Sequence, residues 1–196
     1  MIDYAETASQ TAGPYVHIGC TPNFAGIDGV YPEDLGLRMI ETGAKGDRIT
    51  LTGVIHDGNG TPMRDAMIEA WQPDAAGRFA GQDGADPAVP GFGRCACDPQ
   101  TGRFQFDTIK PGAVPFPTGG LQAPHITLWI VARGINLGLH TRAYFADDPM
   151  TQSDPVLARI EHKSRIQTLL AQPKGDRVYE MNIWLQGPDE TIFFDV

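Results

Sequence analysis

A chain of 196 residues with 23 glycines and 16 prolines is long enough to bury one sizeable core, and a glycine and proline content of about a fifth stays under the roughly 25–30% typical of low-complexity disorder. Its formal net charge of -9, with Lys and Arg scattered singly along the chain, argues against nucleic acid and against an anionic membrane as partners, since neither is attracted by such a surface. The same acidity means that an anionic small-molecule substrate needs a local cation to hold it.

The opening MIDYAETASQ carries Asp3 and Glu6 and no apolar run, which is unlike a secretory signal, and no stretch approaches the ~18 apolar residues of a membrane span. A cytoplasmic location is expected. In that reducing setting the odd set of Cys20, Cys95 and Cys97 does not suggest a disulfide framework. Cys95 and Cys97 are two apart and share one face of a strand, where core packing is expected.

Residues 1–47 show little periodicity and many turn formers, which predicts an arm laid over a surface, with one helical turn at Pro32 to Glu41. From Arg48 to Ile55 apolar and polar residues alternate around Gly53, the period-two pattern of a strand. The tetrapeptide Asp57-Gly58-Asn59-Gly60 then closes a turn. Met67 to Trp71 reads as the next strand, Asp74-Ala75-Ala76-Gly77 as a turn delivering Arg78 and Phe79, and Gly81 to Gly93 as a loop. Further strands are predicted at Arg94 to Cys97, Gly102 to Ile109, His125 to Ala132, Leu139 to Phe145, Val178 to Leu185 and Ile192 to Phe194. Short strands at roughly 8–12-residue spacing indicate an all-β sandwich or barrel. One helix is predicted from a Ser153 or Asp154 cap, with Pro155 in its first turn and Val156, Leu157, Ile160, Leu169 and Leu170 at near-helical spacing, ending by Pro173. No repeat or linker divides the chain, so residues 1–196 are expected to form a single domain, an arm (1–47) and a sandwich core (48–196).

Eight segments then carry a resemblance: TAGPY (11–15), DGNG (57–60), EAWQPDAAGRF (69–79), IKPGAVPFP (109–117), APHI (123–126), ARGIN (132–136), HTRAYF (140–145) and TIFFDV (191–196). Together, in order and over nearly the whole chain, they resemble the protocatechuate 3,4-dioxygenase family of intradiol ring-cleaving enzymes. The resemblance implies an all-β sandwich with long loops, an N-terminal arm and one or two short helices. It also implies Fe(III) held by two tyrosinates, from an AGRY-like and a PGAY-like turn, and by two histidines of an HIH-like strand start. Phenolate oxygens suit a hard ferric cation, and His-x-His on a strand sets two imidazoles on one side.

This chain departs from that set at three positions. Phe79, Val114 and Thr127 stand where two tyrosines and a histidine would be, and only His125 remains. One imidazole cannot retain ferric iron. The resemblance supplies a reason: such enzymes pair two homologous chains, an iron-bearing β subunit and an α-type chain whose own site has decayed, with the substrate pocket between them. This sequence resembles the second kind. It implies a hetero-oligomer of αβ units, Fe(III) held by the partner, and protocatechuate and dioxygen as substrates. By the same resemblance Thr11, Gly13, Pro14, Tyr15 and Arg133 line the pocket from this side, while no catalytic residue and no metal ligand comes from this chain.

Chemistry supports Arg133 separately, because a guanidinium suits a substrate carboxylate inside an acidic protein; the alternative is an exposed turn arginine. Tyr15 has two readings, a hydrogen bond to substrate or packing at the interface, and Gly13 and Pro14 shape the wall. For His17 and His140 structural hydrogen bonding is expected in preference to acid–base work, and Trp71, Trp129 and Trp184 are expected to pack in the core or an interface. Two other functions remain open at this point, a self-sufficient dioxygenase with a different iron site and a non-catalytic β-sandwich module that binds small molecules without an iron partner.

Overall fold

The computed structural model describes residues 11–136 and 138–195. Eleven strands carry the fold: β1 (Arg48–His56), β2 (Met67–Trp71), β3 (Phe92–Ala96), β4 (Arg103–Ile109), β5 (Val114–Pro115), β6 (Leu121–Gln122), β7 (His125–Val131), β8 (Leu139–Phe145), β9 (Leu170–Pro173), β10 (Val178–Glu180) and β11 (Ile183–Trp184). They form two layers. In one, β1 pairs antiparallel with β4 on one side and parallel with β10 and β11 on the other; the second runs β3-β2-β7-β8. Strand β9 joins the layers, antiparallel to β10 and parallel to β8, so the sheet nearly closes on itself. A separate hairpin, β5 with β6, precedes β7.

Alternation in the sequence builds the core between these layers. Leu51 and Ile55 of β1 with Phe104 and Phe106 of β4 face Ile68 and Ala70 of β2, Ile126, Leu128 and Ile130 of β7, and Ala143 and Phe145 of β8. The residues between them point outward, which puts Thr127, Trp129, His140 and Arg142 on the outer face of β7 and β8. Cys97 is buried and Cys95 packs against the same core; burial pushes the Cys95 thiol up to about 12 and the Cys97 thiol higher still. A smaller cluster of Ala123, Tyr144, Leu157 and Leu169 lies outside β7 and β8.

Four sequence expectations are corrected. First, Pro32 to Glu41 does not form a helical turn. Its backbone is spent elsewhere: the Gly36 carbonyl accepts from Arg94 N at 2.9 Å, and the Asp34 carboxylate accepts from Asn23 N at 2.8 Å and Phe24 N at 2.9 Å. The arm's helix is instead α1 (Pro14–Cys20), with Pro14 in its first turn, where the missing N–H costs nothing. Second, the helix expected from Ser153 or Asp154 to Pro173 breaks into short 3-10 turns at Pro149–Ser153, Leu157–Arg159 and Lys163–Leu169. Asp154 does cap, accepting from Val156 N and Leu157 N at 2.8 and 2.9 Å, but Ile160 is extended and residues 170–173 are needed as the strand between the layers. Third, the predicted strand Val178 to Leu185 is two strands in one register on β1. They part where Gly53 faces Met181, whose carbonyl comes close enough that a Cβ at Gly53 would strike it; there the Asn182 side chain, accepting from Val54 N at 3.0 Å, replaces a backbone partner. Fourth, of Ile192 to Phe194 only a single bridge, His140 to Phe194, is strand-like.

Arg94 fastens the arm to the sandwich. Its guanidinium meets Glu69 at 2.6 Å and donates to the Cys20 carbonyl at 3.3 Å. Met39 is inserted into the core beside Gly93. Among the described residues no helix is long and apolar enough to cross a membrane.

Candidate functional site

Two turns bring together the region of the positions at which iron ligands were expected. Asp74 is 4% exposed, and its carboxylate accepts from Ala76 N, Arg78 N and Asp86 N at 2.8–2.9 Å. Its backbone carbonyl accepts from Gly77 N at 3.0 Å and from Gly112 N at 2.9 Å, which locks the Asp74–Gly77 turn onto the Pro111–Ala113 turn. The approach is close enough that a Cβ on Gly77, whose φ is +77, would collide with the Ala113 carbonyl. From the first turn Phe79 stacks on Trp71, with centroids 6.2 Å apart and planes 8° from parallel. Trp71 is the cross-strand partner of Thr127, Thr127 of Arg142, and Gln122 of Val114. A hydrogen bond from Arg142 Nη1 to Gln122 Oε1 at 2.9 Å closes the circle.

The residues of this circle do not fit a ferric ion. His125 is buried, and its Nδ1–H donates to the Ala123 carbonyl at 2.7 Å. Burial first, and then the Arg142 charge, hold its pKa down to about 4, against the opposing pull of the Ala123 carbonyl and Asp154. Tyr144, the cross-strand partner of His125, is no phenolate: burial lifts its pKa to about 12, and its hydroxyl accepts from Arg142 Nη1 at 3.1 Å. The guanidinium of Arg142 is a fixed positive charge that opposes a metal cation here. Among the described residues no group of three or more His, Cys, Asp or Glu side chains is placed to hold a metal ion.

The chemistry available to a ligand lies elsewhere, at the junction of the arm with two turns of the sandwich. A cavity of about 460 Å³ is walled by Gly13, Pro14, His17 and Phe24 of the arm, by Arg64 and Asp65 of the β1–β2 turn, and by Arg133 of the β7–β8 turn. The size lies within the ~300–1,000 Å³ of small-molecule sites. His17 joins the first two parts, its Nε2–H donating to the Asp65 carbonyl at 3.0 Å while Nδ1 meets Thr21 Oγ1 at 3.1 Å. Arg133 joins the third, with its Nε 3.5 Å from Asp65 Oδ2.

Of the residues expected to line a pocket, Gly13, Pro14 and Arg133 surround this cavity. Thr11 stands beside it as a strut. Its hydroxyl accepts from Gly134 N at 2.8 Å and donates to the Ala132 carbonyl at 3.4 Å. Tyr15 is 84% exposed and does not line the cavity. His17, Phe24, Arg64 and Asp65 escaped the sequence reading. Nothing local marks Arg64-Asp65 as more than a polar turn between strands, and only the fold brings it to Arg133. His140 lies apart, in a shallow groove of about 290 Å³ with Trp71, Thr127 and Trp129.

Residues 21–187 match the family model described as Dioxygenase. The chain is 41% identical to the protocatechuate 3,4-dioxygenase alpha chain of Pseudomonas putida, covering 97% of this chain and 96% of that one. It is 36% identical to the alpha chain of Burkholderia cepacia over 100% of both, and 34% identical to the beta chain of that organism's enzyme over 83% and 75%. Among solved structures, hydroxyquinol 1,2-dioxygenase from Pseudomonas putida DLL-E4 superposes with a TM-score of 0.62 at 22% identity, covering 81% of this chain and 62% of that one. That likeness concerns the fold.

Proposed function

The chain belongs to the dioxygenase family, and from that premise we propose that it is the α subunit of a protocatechuate 3,4-dioxygenase, working beside a homologous β subunit that holds Fe(III). The reaction is intradiol cleavage of protocatechuate by dioxygen, between the two hydroxylated carbons, to 3-carboxy-cis,cis-muconate. This chain brings no metal ligand. Its share is a wall of the substrate pocket, recognition of the substrate carboxylate and a subunit interface, in a cytoplasmic hetero-oligomer of αβ units.

One observation carries the reading: Gly13 and Pro14 of the arm and Arg133 of a turn some 120 residues later meet around one cavity, while the positions expected to bind iron hold Phe79, Val114 and Thr127. Within the wall each residue has a distinct task. Gly13 and Pro14 let backbone approach a planar ring closely. Arg133, whose Nε lies 3.5 Å from Asp65 Oδ2, offers its guanidinium to a carboxylate. Thr11 holds the turn that carries Arg133. Tyr15 lies on the open side, where the partner would cover it.

Co-expression with a homologous chain that retains both tyrosines and the His-x-His tests the reading. The purified pair should contain iron and consume oxygen on addition of protocatechuate. An iron-free, inactive pair would overturn it.

A further inference from the structure

We propose that Arg64 is a second carboxylate-recognising residue of the cavity and the one that gives it a net positive charge. The inference rests on the subunit reading above and concerns the same pocket.

The charges around the cavity lead to it. Three formally charged side chains line the wall, Arg64, Asp65 and Arg133. Arg133 sits against Asp65, so this pair sums to zero. A neutral pair in a protein of net charge -9 gives an anion no reason to prefer this cavity to any other surface. Arg64 changes the sum to one positive charge, and among the described residues it makes no ion pair within 4 Å, unlike Arg133. No carboxylate among the described residues has to be displaced from it before a ligand carboxylate can pair, which matters because separating an existing pair offsets what the new one contributes.

The backbone under Arg64 is held firmly enough to position it. On either side of the Arg64-Asp65 turn, Met63 and Ala66 are buried in the main core. The Met63 amide donates to the Ile55 carbonyl at 2.8 Å, and the Ala66 carbonyl accepts from the Cys97 amide at 2.9 Å. His17 fastens the tip of the turn to α1 through the Asp65 carbonyl. The two charged side chains thus project from a short turn pinned at both ends, beside the Gly13-Pro14 wall. In this arrangement Asp65 engages Arg133 through Nε, Arg133 presents its outer edge, and Arg64 approaches the same anion from the neighbouring wall.

The test is kinetic and uses the assembled enzyme with protocatechuate and with catechol, its counterpart without a carboxylate. In R64Q the KM for protocatechuate should rise about ten-fold with kcat within about two-fold, and the KM for catechol should not move. R64K, which keeps the charge, should bring the protocatechuate KM back to within about three-fold of the parent. Iron content and assembly size, measured on each variant, report whether the subunits still pair. A protocatechuate KM that stays put in R64Q, or one that rises equally for catechol, would remove Arg64 from carboxylate recognition while leaving the subunit assignment standing. If instead the parent assembly fails to turn over protocatechuate, the subunit assignment falls and this inference with it.

Discussion

The Thr11 hydroxyl grips the backbone on both sides of Arg133, accepting from the Gly134 amide at 2.8 Å and donating to the Ala132 carbonyl at 3.4 Å. A residue of the arm thereby sets the pose of an arginine more than a hundred positions away. Thr11→Ala should raise the KM for protocatechuate several-fold, the size of one lost hydrogen bond of about 1 kcal/mol. Thr11→Ser keeps the hydroxyl and should behave as the parent. Steady-state oxygen uptake by the assembled pair decides it, and a Thr11→Ala enzyme with parental KM would dismiss the strut.

Arg133→Ala removes a charge-assisted contact worth about 1.5–3 kcal/mol. The KM for protocatechuate should rise roughly ten- to a hundred-fold, while iron content, set by the partner, stays at the parental level. Metal analysis beside substrate titration separates the two. An unchanged KM would leave Arg133 as an exposed turn residue.

Gly77 tests the junction of the two turns. Its φ of +77 and the clash a Cβ would make with the Ala113 carbonyl both disfavour any side chain, so Gly77→Ala should cost about 2 kcal/mol or more of folding stability. Urea denaturation should show a lower midpoint at unchanged slope. A parental midpoint would mean that the two turns separate freely.

His125 makes stability depend on pH. Its pKa is about 4 in the fold against the ordinary histidine value of 6.5, so between these values the unfolded chain binds a proton that the native chain does not. Stability is therefore lost as pH falls from 6.5 toward 4 and levels off below, by a few kcal/mol at most. His125→Gln should flatten this part of the profile. Urea midpoints of parent and variant from pH 7 to pH 4 provide the comparison, and parallel profiles would rule out His125 as the titrating group.

Burial also orders the thiols. Cys95 and Cys97 have raised pKa values, and thiol reagents attack the thiolate. At pH 8 the native protein should expose at most Cys20 to modification, with Cys95 and Cys97 reacting only in denaturant. Mass spectrometry of the labelled peptides identifies the sites, and rapid labelling at Cys95 would contradict the packing seen around it.

The sequence by itself determined the longer strands of the sandwich and the absence of the expected iron ligands. Strands are legible because alternation in β1, β4 and β7 is a local consequence of side chains leaving opposite faces. Phe79, Val114 and Thr127 are legible because a missing phenol or imidazole is a fact of covalent chemistry, whatever the fold. Where local preference competed with long-range pairing, the sequence misled: near-helical spacing at 153–173 gave way to the need for a strand between β8 and β10, and the Pro32 to Glu41 backbone went to the edge of β3. Only the tertiary structure decided which charges share a cavity. Arg64 and Asp65 read as an ordinary polar turn, and Arg133 as another; their meeting beside Gly13 and Pro14 depends on how the arm crosses two strand connections, and no local pattern of residues encodes that crossing.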